Sequence, residues 1–284
     1  MKLDGRRTSS NVDDRRKMGG TATGLGIGGI IIAALLAWIM GGDPLDAIMG
    51  QLADVNVQGG TEYVATAEEN AMATFASRIL AGTEDVWTKE FEKMGRKYIP
   101  PKMVLYTRAT SSGCGAASSQ TGPFYCPGDQ TVYIDLSFFD QMKTQLKAGG
   151  DFAYAYVIAH EVGHHVQYLL GTLNQVQQQQ RRMNQRESNQ LNVRLELQAD
   201  FFAGIWAFHD NAMYNSLESG DIENGLNAAS AIGDDRLQMQ SQGYTVPDAF
   251  NHGTSEQRVR WLKKGATTGL VTNGDTFSPA YTSL

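Results

Sequence analysis

The chain has 284 residues, of which 42% are hydrophobic and 19% are charged, so its composition excludes a disordered protein. Two cysteines are too few for a small scaffold held together by disulfides. The formal net charge is -6, but residues 1–17 hold six basic residues against three acidic ones, so the remainder carries -9. This acidic body has no basic stripe that could displace counterions from phosphates, which excludes nucleic acid as a partner.

An uncharged and almost wholly apolar segment follows the basic N-terminus. Residues 18–42 contain no charged side chain, and a helix of this length would reach about 37 Å, enough to cross a hydrocarbon core of about 30 Å. We therefore predict a transmembrane helix; the alternative is a cleaved signal peptide, although no small-x-small cleavage site follows Met40. The basic residues all precede the span, so the positive-inside rule predicts a cytoplasmic tail over 1–17 and a body in the periplasm or outside the cell.

Three glycines in this segment, Gly20, Gly24 and Gly28, are spaced four residues apart. Glycines at this spacing allow two membrane helices to approach closely. The spacing predicts a homo-oligomer formed through the transmembrane helix.

Beyond the apolar segment, the sequence predicts a linker over 43–60 and one domain over 61–284. Glycines mark both ends of the linker, with a proline near its start. In the domain, apolar residues recur at helical spacing over 61–91. Segments 103–106 and 131–134 are rich in β-branched and aromatic residues, which predicts two short strands.

Helical patterns dominate the chain after Ser137. The glutamine-rich segment 174–190 contains few strand or turn formers, which predicts an exposed helix or a mobile insertion. The predicted fold class is α+β and predominantly helical, with a small sheet near residues 103–135.

The only two cysteines, Cys114 and Cys126, enclose a loop rich in glycine. A disulfide between them is permitted if the body lies outside the cytoplasm, and two free thiols are the alternative. Their spacing of twelve residues differs from that of C-x-x-C zinc ligands.

His160, Glu161 and His164 form an H-E-x-x-H motif that continues the apolar run 152–159. On a helix, positions four apart lie about 40° apart around the axis and about 6 Å apart along it, so both imidazoles project from one face. Glu161 lies beside that face and can reach a water bound to the metal. This geometry suits a zinc hydrolase, in which neutral histidines bind the metal and a carboxylate accepts the proton of the water.

A third zinc ligand is needed, and the segment 194–204 supplies it on a second helical pattern. We predict Glu196 as the ligand and Asp200 as the acceptor of a ring N–H from a ligand histidine. Both acids lie among apolar residues, and buried acids need partners. The alternative is a helix that carries ordinary solvated acids.

At these motifs the chain resembles the neutral zinc metallopeptidases of bacteria, which are single-pass membrane proteins of the gluzincin type. The resemblance implies a zincin-like domain, a location in the bacterial inner membrane, and a zinc-dependent peptidase activity that is itself largely inferred for the family. It runs over segments 10–16, 113–114, 122–127, 132–135, 160–167, 195–204 and 252–258.

A more distant resemblance concerns His252 and Arg258. In membrane-linked gluzincins a histidine followed six residues later by arginine lies opposite the metal, which implies that His252 donates a hydrogen bond to the oxyanion of the tetrahedral intermediate. This chain has Gly253 where those relatives have proline, and a helix-capping or surface histidine is the alternative. We predict structural roles for His165 and His209.

Together these features predict a membrane-anchored zinc metallopeptidase, a hydrolase acting on peptides or proteins. A substrate strand would add to the sheet edge, and Glu161 would take the proton of the water and return it to the leaving amine. One alternative is a non-catalytic, membrane-anchored zinc-binding scaffold of the cell envelope, and another is a zinc hydrolase of non-peptide amides or wall material. The sequence leaves open the substrate, the choice between internal and terminal bonds, latency and oligomeric state.

Overall fold

The structure is a computed structural model that describes residues 1–16, 64–118 and 121–284. The predicted transmembrane helix over 18–42, with its glycine spacing, and the predicted linker over 43–60 lie outside these residues. Among the helices of the described ranges, none combines the length and apolar character needed to cross a bilayer.

The described chain is predominantly helical with a small sheet, which confirms the α+β class. The strands are β1 (Val12–Asp14), β2 (Lys102–Tyr106), β3 (Ala109–Ser112), β4 (Gly115–Ser118), β5 (Phe124–Cys126) and β6 (Thr131–Asp135). The helices are α1 (Ala67–Lys93), α2 (Ser137–Thr144), α3 (Asp151–Leu170), α4 (Thr172–Gln180), α5 (Gln185–Tyr214), α6 (Asp221–Ala231), α7 (Asp234–Gln242) and α8 (Ser255–Thr268). Three single-turn 3₁₀ helices, at Pro247–Ala249, Val271–Asn273 and Tyr281–Ser283, complete the described elements.

The main sheet has four strands in the order β1-β2-β6-β5, and a separate hairpin pairs β3 with β4. Strands β1, β2 and β6 are parallel, whereas β5 runs antiparallel to β6 and forms one edge. The two strands predicted from sequence correspond to β2 and β6 to within one residue. Because the hairpin strands are rich in small or polar residues and β5 has only three residues, their sequences carry little of the alternation that marks a strand.

Helix α3 runs through the core and packs against α1, α5 and α6. Every residue from Phe152 to Gly163 is buried, which is why this stretch is apolar on all sides of the helix. The helix ends at Gly171, whose φ of 88° is the left-handed conformation that favours glycine. A buried helix is a rigid support, so side chains on its open face are held in place.

Helix α1 begins at Ala67 and not near Thr61 as predicted. Thr66 and Glu69 form a capping box, in which the Thr66 hydroxyl accepts the backbone N–H of Glu69 at 3.1 Å and the Glu69 carboxylate accepts that of Thr66 at 2.7 Å. This reciprocal pair satisfies two backbone donors at the helix end. The cap fixes the start of the helix, which apolar spacing alone does not locate.

The N-terminal tail packs on the domain, which differs from the separate tail predicted over 1–17. Strand β1 pairs with β2, with Val12 opposite Met103. Arg6 forms a bidentate ion pair with Asp210, at 2.9 and 2.6 Å, and the Asp210 side chain is fully buried. The basic charges of the tail were the reason for predicting a cytoplasmic tail. Counting them could not reveal an acidic partner 204 residues away.

Candidate active site

The two histidines of the H-E-x-x-H motif face the predicted third ligand. The Nε2 atoms of His160 and His164 lie 3.2 and 3.5 Å from the two carboxylate oxygens of Glu196. One ligand atom from each residue lies within 4.8 Å of the others. Glu161 is buried and lines the same cleft. The structure thus brings together the four residues whose spacing predicted a zinc hydrolase.

Close packing of α3 on α5 brings these ligands together. A Cβ atom on Gly163 would lie only 3.0 Å from the backbone oxygen of Ala199, so glycine inside the motif permits the helices to approach. Helix α8 crosses α5 in the same way, because a Cβ on Gly265 would lie 2.1 Å from the Phe201 carbonyl oxygen. This second contact brings α8, and Arg258 with it, close to the ligand helices.

Asp200 lies behind the metal ligands and orients His160. Its Oδ1 is 2.8 Å from His160 Nδ1 and accepts a hydrogen bond from the Tyr156 hydroxyl at 2.6 Å. Arg258 donates to both Asp200 oxygens, at 2.9 Å each. Asp200 would therefore keep a proton on His160 Nδ1 when Nε2 binds a metal. Asp200 contacts a ring nitrogen of His160, the position predicted for it. Arg258 binds Asp200 and is not one of the candidate ligands.

The electrostatics of the cluster favour a bound cation. Burial alone would raise the pKa of Asp200, but the Arg258 and His160 charges lower it to about 2. Burial opposes protonation of His160, yet Asp200 and Glu196 outweigh it and raise its pKa to about 10. For Glu196, burial is likewise overcome by His164 and His160, which hold its pKa well below its usual range. The two carboxylates thus favour positive charge on the candidate ligand histidines, and a bound cation can supply that charge in place of the Nε2 protons.

A second hydrogen-bond network holds His164. Its Nδ1 lies 2.9 Å from Gln167 Oε1, and the Gln167 amide nitrogen donates to the Leu195 carbonyl at 2.7 Å. Gln167 therefore links the two ligand helices beside Glu196. Sequence reasoning missed Gln167, and also Tyr156, although helical spacing from the motif histidines places both of them near the cluster.

His252 lines the cleft and is held by Asp234 at the start of α7. One oxygen of Asp234 accepts the backbone N–H groups of Asn251, His252 and Gly253 at 2.6–3.0 Å, and the other lies 3.1 Å from His252 Nδ1. The Asp234 contact occupies Nδ1, so Nε2 is the nitrogen that can serve the cleft. Burial would lower the pKa of His252, but Asp234 and Glu196 raise it. Sequence reasoning missed Asp234, which carries no motif of its own.

His160, His164 and Glu196, the candidate metal cluster, lie in a cleft of about 540 Å³. Strand β5 and the loop that precedes it form one wall, and the glutamine-rich helix α4 contributes to another. The Cys114–Cys126 disulfide joins the turn between β3 and β4 to the end of β5, with the two Cα atoms 5.8 Å apart. The predicted disulfide therefore stabilises the wall that lies at the sheet edge.

His165 connects this wall to the active-site helix. Its Nε2 donates to the Ile99 carbonyl at 2.7 Å, which leaves Nδ1 to accept the Tyr125 hydroxyl at 2.9 Å. This pair of contacts requires the neutral form of the His165 imidazole, in which one ring nitrogen donates and the other accepts. Its structural role agrees with the sequence prediction, and His209 similarly contacts the Gly269 carbonyl at 2.8 Å.

Acid should destabilise the fold through His165. Burial lowers the pKa of this group to about 4, so between pH 6.5 and 4 the unfolded chain binds a proton that the folded chain does not. The unfolding free energy should therefore fall with pH in this window, by up to about 3 kcal/mol. Urea unfolding of chelator-treated protein at several pH values measures the slope, and His165→Gln should flatten it. An equal slope in the two proteins would contradict this assignment.

The donor set fits zinc, since two imidazole nitrogens and one carboxylate are the protein ligands of a known class of catalytic zinc centre. The orientation of His160 by a carboxylate is also typical of such centres. The cluster is therefore a candidate mononuclear zinc site.

Comparison with known proteins narrows this class. The chain belongs to the putative neutral zinc metallopeptidase family, whose model matches residues 1–277. It is 53% identical to the uncharacterized protein YpfJ of Escherichia coli K12, over 98% of this chain and 99% of that protein. It is also 44% identical to the uncharacterized protein Rv2575 of Mycobacterium tuberculosis, over 64% of each chain. No solved structure matches the chain.

Proposed function

We propose that the protein is a membrane-anchored zinc peptidase that hydrolyses peptide bonds in protein or peptide substrates. The observation that carries this proposal is the meeting of His160, His164 and Glu196 with Glu161 at one cleft. Glu161 supports an enzyme over a zinc scaffold, because a purely structural site has no need of a carboxylate beside its ligands. The family assignment is consistent with this conclusion.

His160, His164 and Glu196 would hold the zinc ion, which polarises the scissile carbonyl and acidifies a water when it is bound. Glu161 accepts the proton of the attacking water and delivers it to the leaving amine. His252 donates a hydrogen bond from Nε2 to the developing oxyanion. Asp200 and Arg258 are positioning residues, since they act through His160.

The cleft arrangement suggests how substrate is aligned. Strand β5 forms an edge of the sheet and lines the cleft, so an extended peptide can pair with it and lie along the metal cluster. Phe124 and Tyr125 of this strand contribute to the wall. The zincin-like domain type predicted from sequence is part of this proposal.

We place the domain outside the cytoplasm and propose that the apolar residues 18–42 attach it to the inner membrane, which does not fix the side on which the tail lies. The supporting observation is the Cys114–Cys126 disulfide, because disulfides persist in oxidising compartments. Association of several copies through the apolar segment remains a proposal based on glycine spacing.

Metal removal tests the proposed function. The full chain in detergent should contain one zinc per molecule and cleave members of a mixed peptide library, as read by mass spectrometry. A chelator should abolish cleavage and added zinc should restore it. Purified protein without zinc, or with zinc and no cleavage of any peptide, would contradict the proposal.

The dependence of activity on Asp234 tests the role of His252. His252 can donate from Nε2 only while its ring is protonated, because Asp234 holds the proton on Nδ1. Asp234→Asn removes a charge that raises the pKa of His252, so the alkaline limb of the kcat/KM profile should move to lower pH. An alkaline limb at the same pH in the Asp234→Asn variant and the wild type would exclude His252 as the donor.

A further inference from the structure

The glutamine-rich helix α4 is part of the cleft wall. The sequence predicted an exposed helix or an insertion here, and the structure places Gln177 and Gln180 at the cleft that holds the metal cluster. Gln177 is exposed, and the Gln180 amide nitrogen donates to the Ser188 carbonyl at 3.2 Å. Amide side chains offer both donors and acceptors, which match the groups of a peptide backbone.

The other cleft walls are mainly apolar. Val157, Ile232 and Leu237 line the cleft beside α3 and α7, and Phe124 and Phe138 line it beside the sheet edge. These side chains suit the uncharged interior of a polypeptide, since a charged group placed among them would lose its hydration.

The charged groups of the cleft, among the described residues, belong to the metal cluster or are already paired. Glu161 and the ligands serve the reaction, and His252 is held by Asp234. Arg258 donates to Asp200, to the Tyr156 hydroxyl and to the Ile232 carbonyl. A peptidase that removes terminal residues must bind the charged end of its substrate. The guanidinium of Arg258 already binds groups of the protein, so it is not available for a substrate carboxylate.

We propose that the enzyme is an endopeptidase that binds an internal, uncharged segment of extended polypeptide between strand β5 and helix α4. The Gln177 amide hydrogen-bonds the substrate main chain, and the apolar walls hold its side chains. This inference rests on the proposed function and adds the substrate class.

Blocked peptides test this inference in the full chain. An internally quenched peptide with an uncharged, apolar centre should have the same kcat/KM, within twofold, whether its termini are free or acetylated and amidated. Replacing residues beside the cleaved bond with Asp or Lys should lower kcat/KM at least tenfold. Loss of cleavage on blocking would overturn the inference but leave the peptidase intact, whereas zinc-loaded protein that cleaves neither peptide would overturn the proposed function as well.

A matched pair of variants tests the α4 wall. Gln177→Ala should raise KM about fivefold with kcat within twofold, the size expected for one hydrogen bond. Gln178→Ala changes an exposed neighbour on the same helix that does not line the cleft, and it should leave both constants unchanged. Equal constants for the two variants would overturn the role of Gln177.

A second inference comes from the tail and does not depend on the cleft. The Ser9 backbone N–H donates to the Ser77 carbonyl at 3.2 Å, and the Ser77 hydroxyl donates to the Ser9 carbonyl at 3.3 Å. Arg7 pairs with Glu84 and Asp85 on the same helix, at 2.9 and 2.6 Å. With β1 and the Arg6–Asp210 pair, these contacts bind the tail to three parts of the domain.

The described residues on either side of the segment 17–63 contact each other. Arg16 precedes this segment, and its guanidinium donates to the Glu69 carbonyl at 2.9 Å and to the Asn70 side chain at 3.1 Å. Asn70 lies only a few residues after the segment ends. A single crossing of the membrane between 17 and 63 would separate the tail from α1 by the thickness of the bilayer, and these contacts could not form.

We infer that residues 1–16 and the domain lie on the same side of the membrane. The cytoplasmic tail predicted from the positive-inside rule is therefore replaced by a tail in the compartment of the domain. The basic side chains that suggested a cytoplasmic location, Arg6, Arg7 and Arg16, are partners of domain residues in the structure.

Cysteine labelling in intact cells tests this topology. The full chain carries either Asp4→Cys in the tail or Lys263→Cys in the domain; both positions are exposed, and the two native cysteines are paired. A membrane-impermeant maleimide should label both variants in intact cells, or both only after permeabilisation. Labelling of one variant alone in intact cells would overturn the inference.

A cross-link provides a second, direct measurement. Ser9→Cys with Ser77→Cys is a near-isosteric pair that should form a disulfide in intact cells treated with a permeant oxidant and then alkylated, detected as a linked peptide by mass spectrometry. Ser9→Cys with Ser188→Cys is the control pair and should not link. Absence of the 9–77 link, with the two pairs behaving alike, would contradict the packed tail.

Discussion

Replacing Glu161 with glutamine is expected to lower kcat for peptide cleavage by about 10²–10⁴-fold, the usual contribution of a general base. The amide has nearly the same shape but cannot accept the proton of the attacking water at neutral pH. Zinc content should stay at the wild-type level, because the structure assigns the ligand atoms to His160, His164 and Glu196. Metal analysis and steady-state kinetics on the same preparation measure both quantities.

Glu196→Gln is the matched control for this experiment. It makes the same chemical change in the same cleft but removes a carboxylate that contacts both ligand histidines. This variant should lose zinc as well as activity. Cleavage by the Glu161→Gln protein at the wild-type rate would exclude Glu161 as the base, and equal loss of zinc in the two variants would show that Glu161 acts as a ligand.

The second large effect is expected for Asp200→Asn. The change leaves the Arg258 guanidinium buried without its counter-charge, and breaking such a pair typically costs about 3–5 kcal/mol of unfolding free energy. It also weakens the acceptor that orients His160, so zinc affinity should fall about 10–100-fold. Urea unfolding of the metal-free protein isolates the first effect, and competition with a chelator measures the second.

Glu256→Gln provides the comparison for stability. Its side chain is 81% exposed and pairs with Arg260 at the surface, so its loss should change the unfolding free energy by less than about 1 kcal/mol. Similar losses in the Asp200 and Glu256 variants would mean that the buried pair contributes no more than a surface one.

The catalytic half of the site could be predicted from sequence because its geometry is local. Residues four apart on one helix share a face, so His160 and His164 follow from the motif, and Glu196 with Asp200 follow from a second helix of the same kind. Their supporting partners could not be predicted in this way. Asp234 and Arg258 act across contacts between elements, and helical spacing does not state which helices touch.

The fold shows the same division between local and distant information. Strands β2 and β6 and the buried helix α3 follow from apolar patterns within a few residues. Strand β1 is only three residues long, and its place in the sheet depends on β2, about ninety positions later. The tail was assigned from its charge, whereas in the structure its charges are satisfied by the domain.

The distance between Arg6 and Asp210 along the chain also fixes an order of events during synthesis. A ribosome that adds about 5–20 residues per second needs about 10–40 s to reach Asp210 after Arg6 has been made. Throughout that interval Arg6 has no acidic partner at the end of α5, so this contact forms late. The N-terminal tail therefore gains its full set of contacts only after most of the domain has been translated.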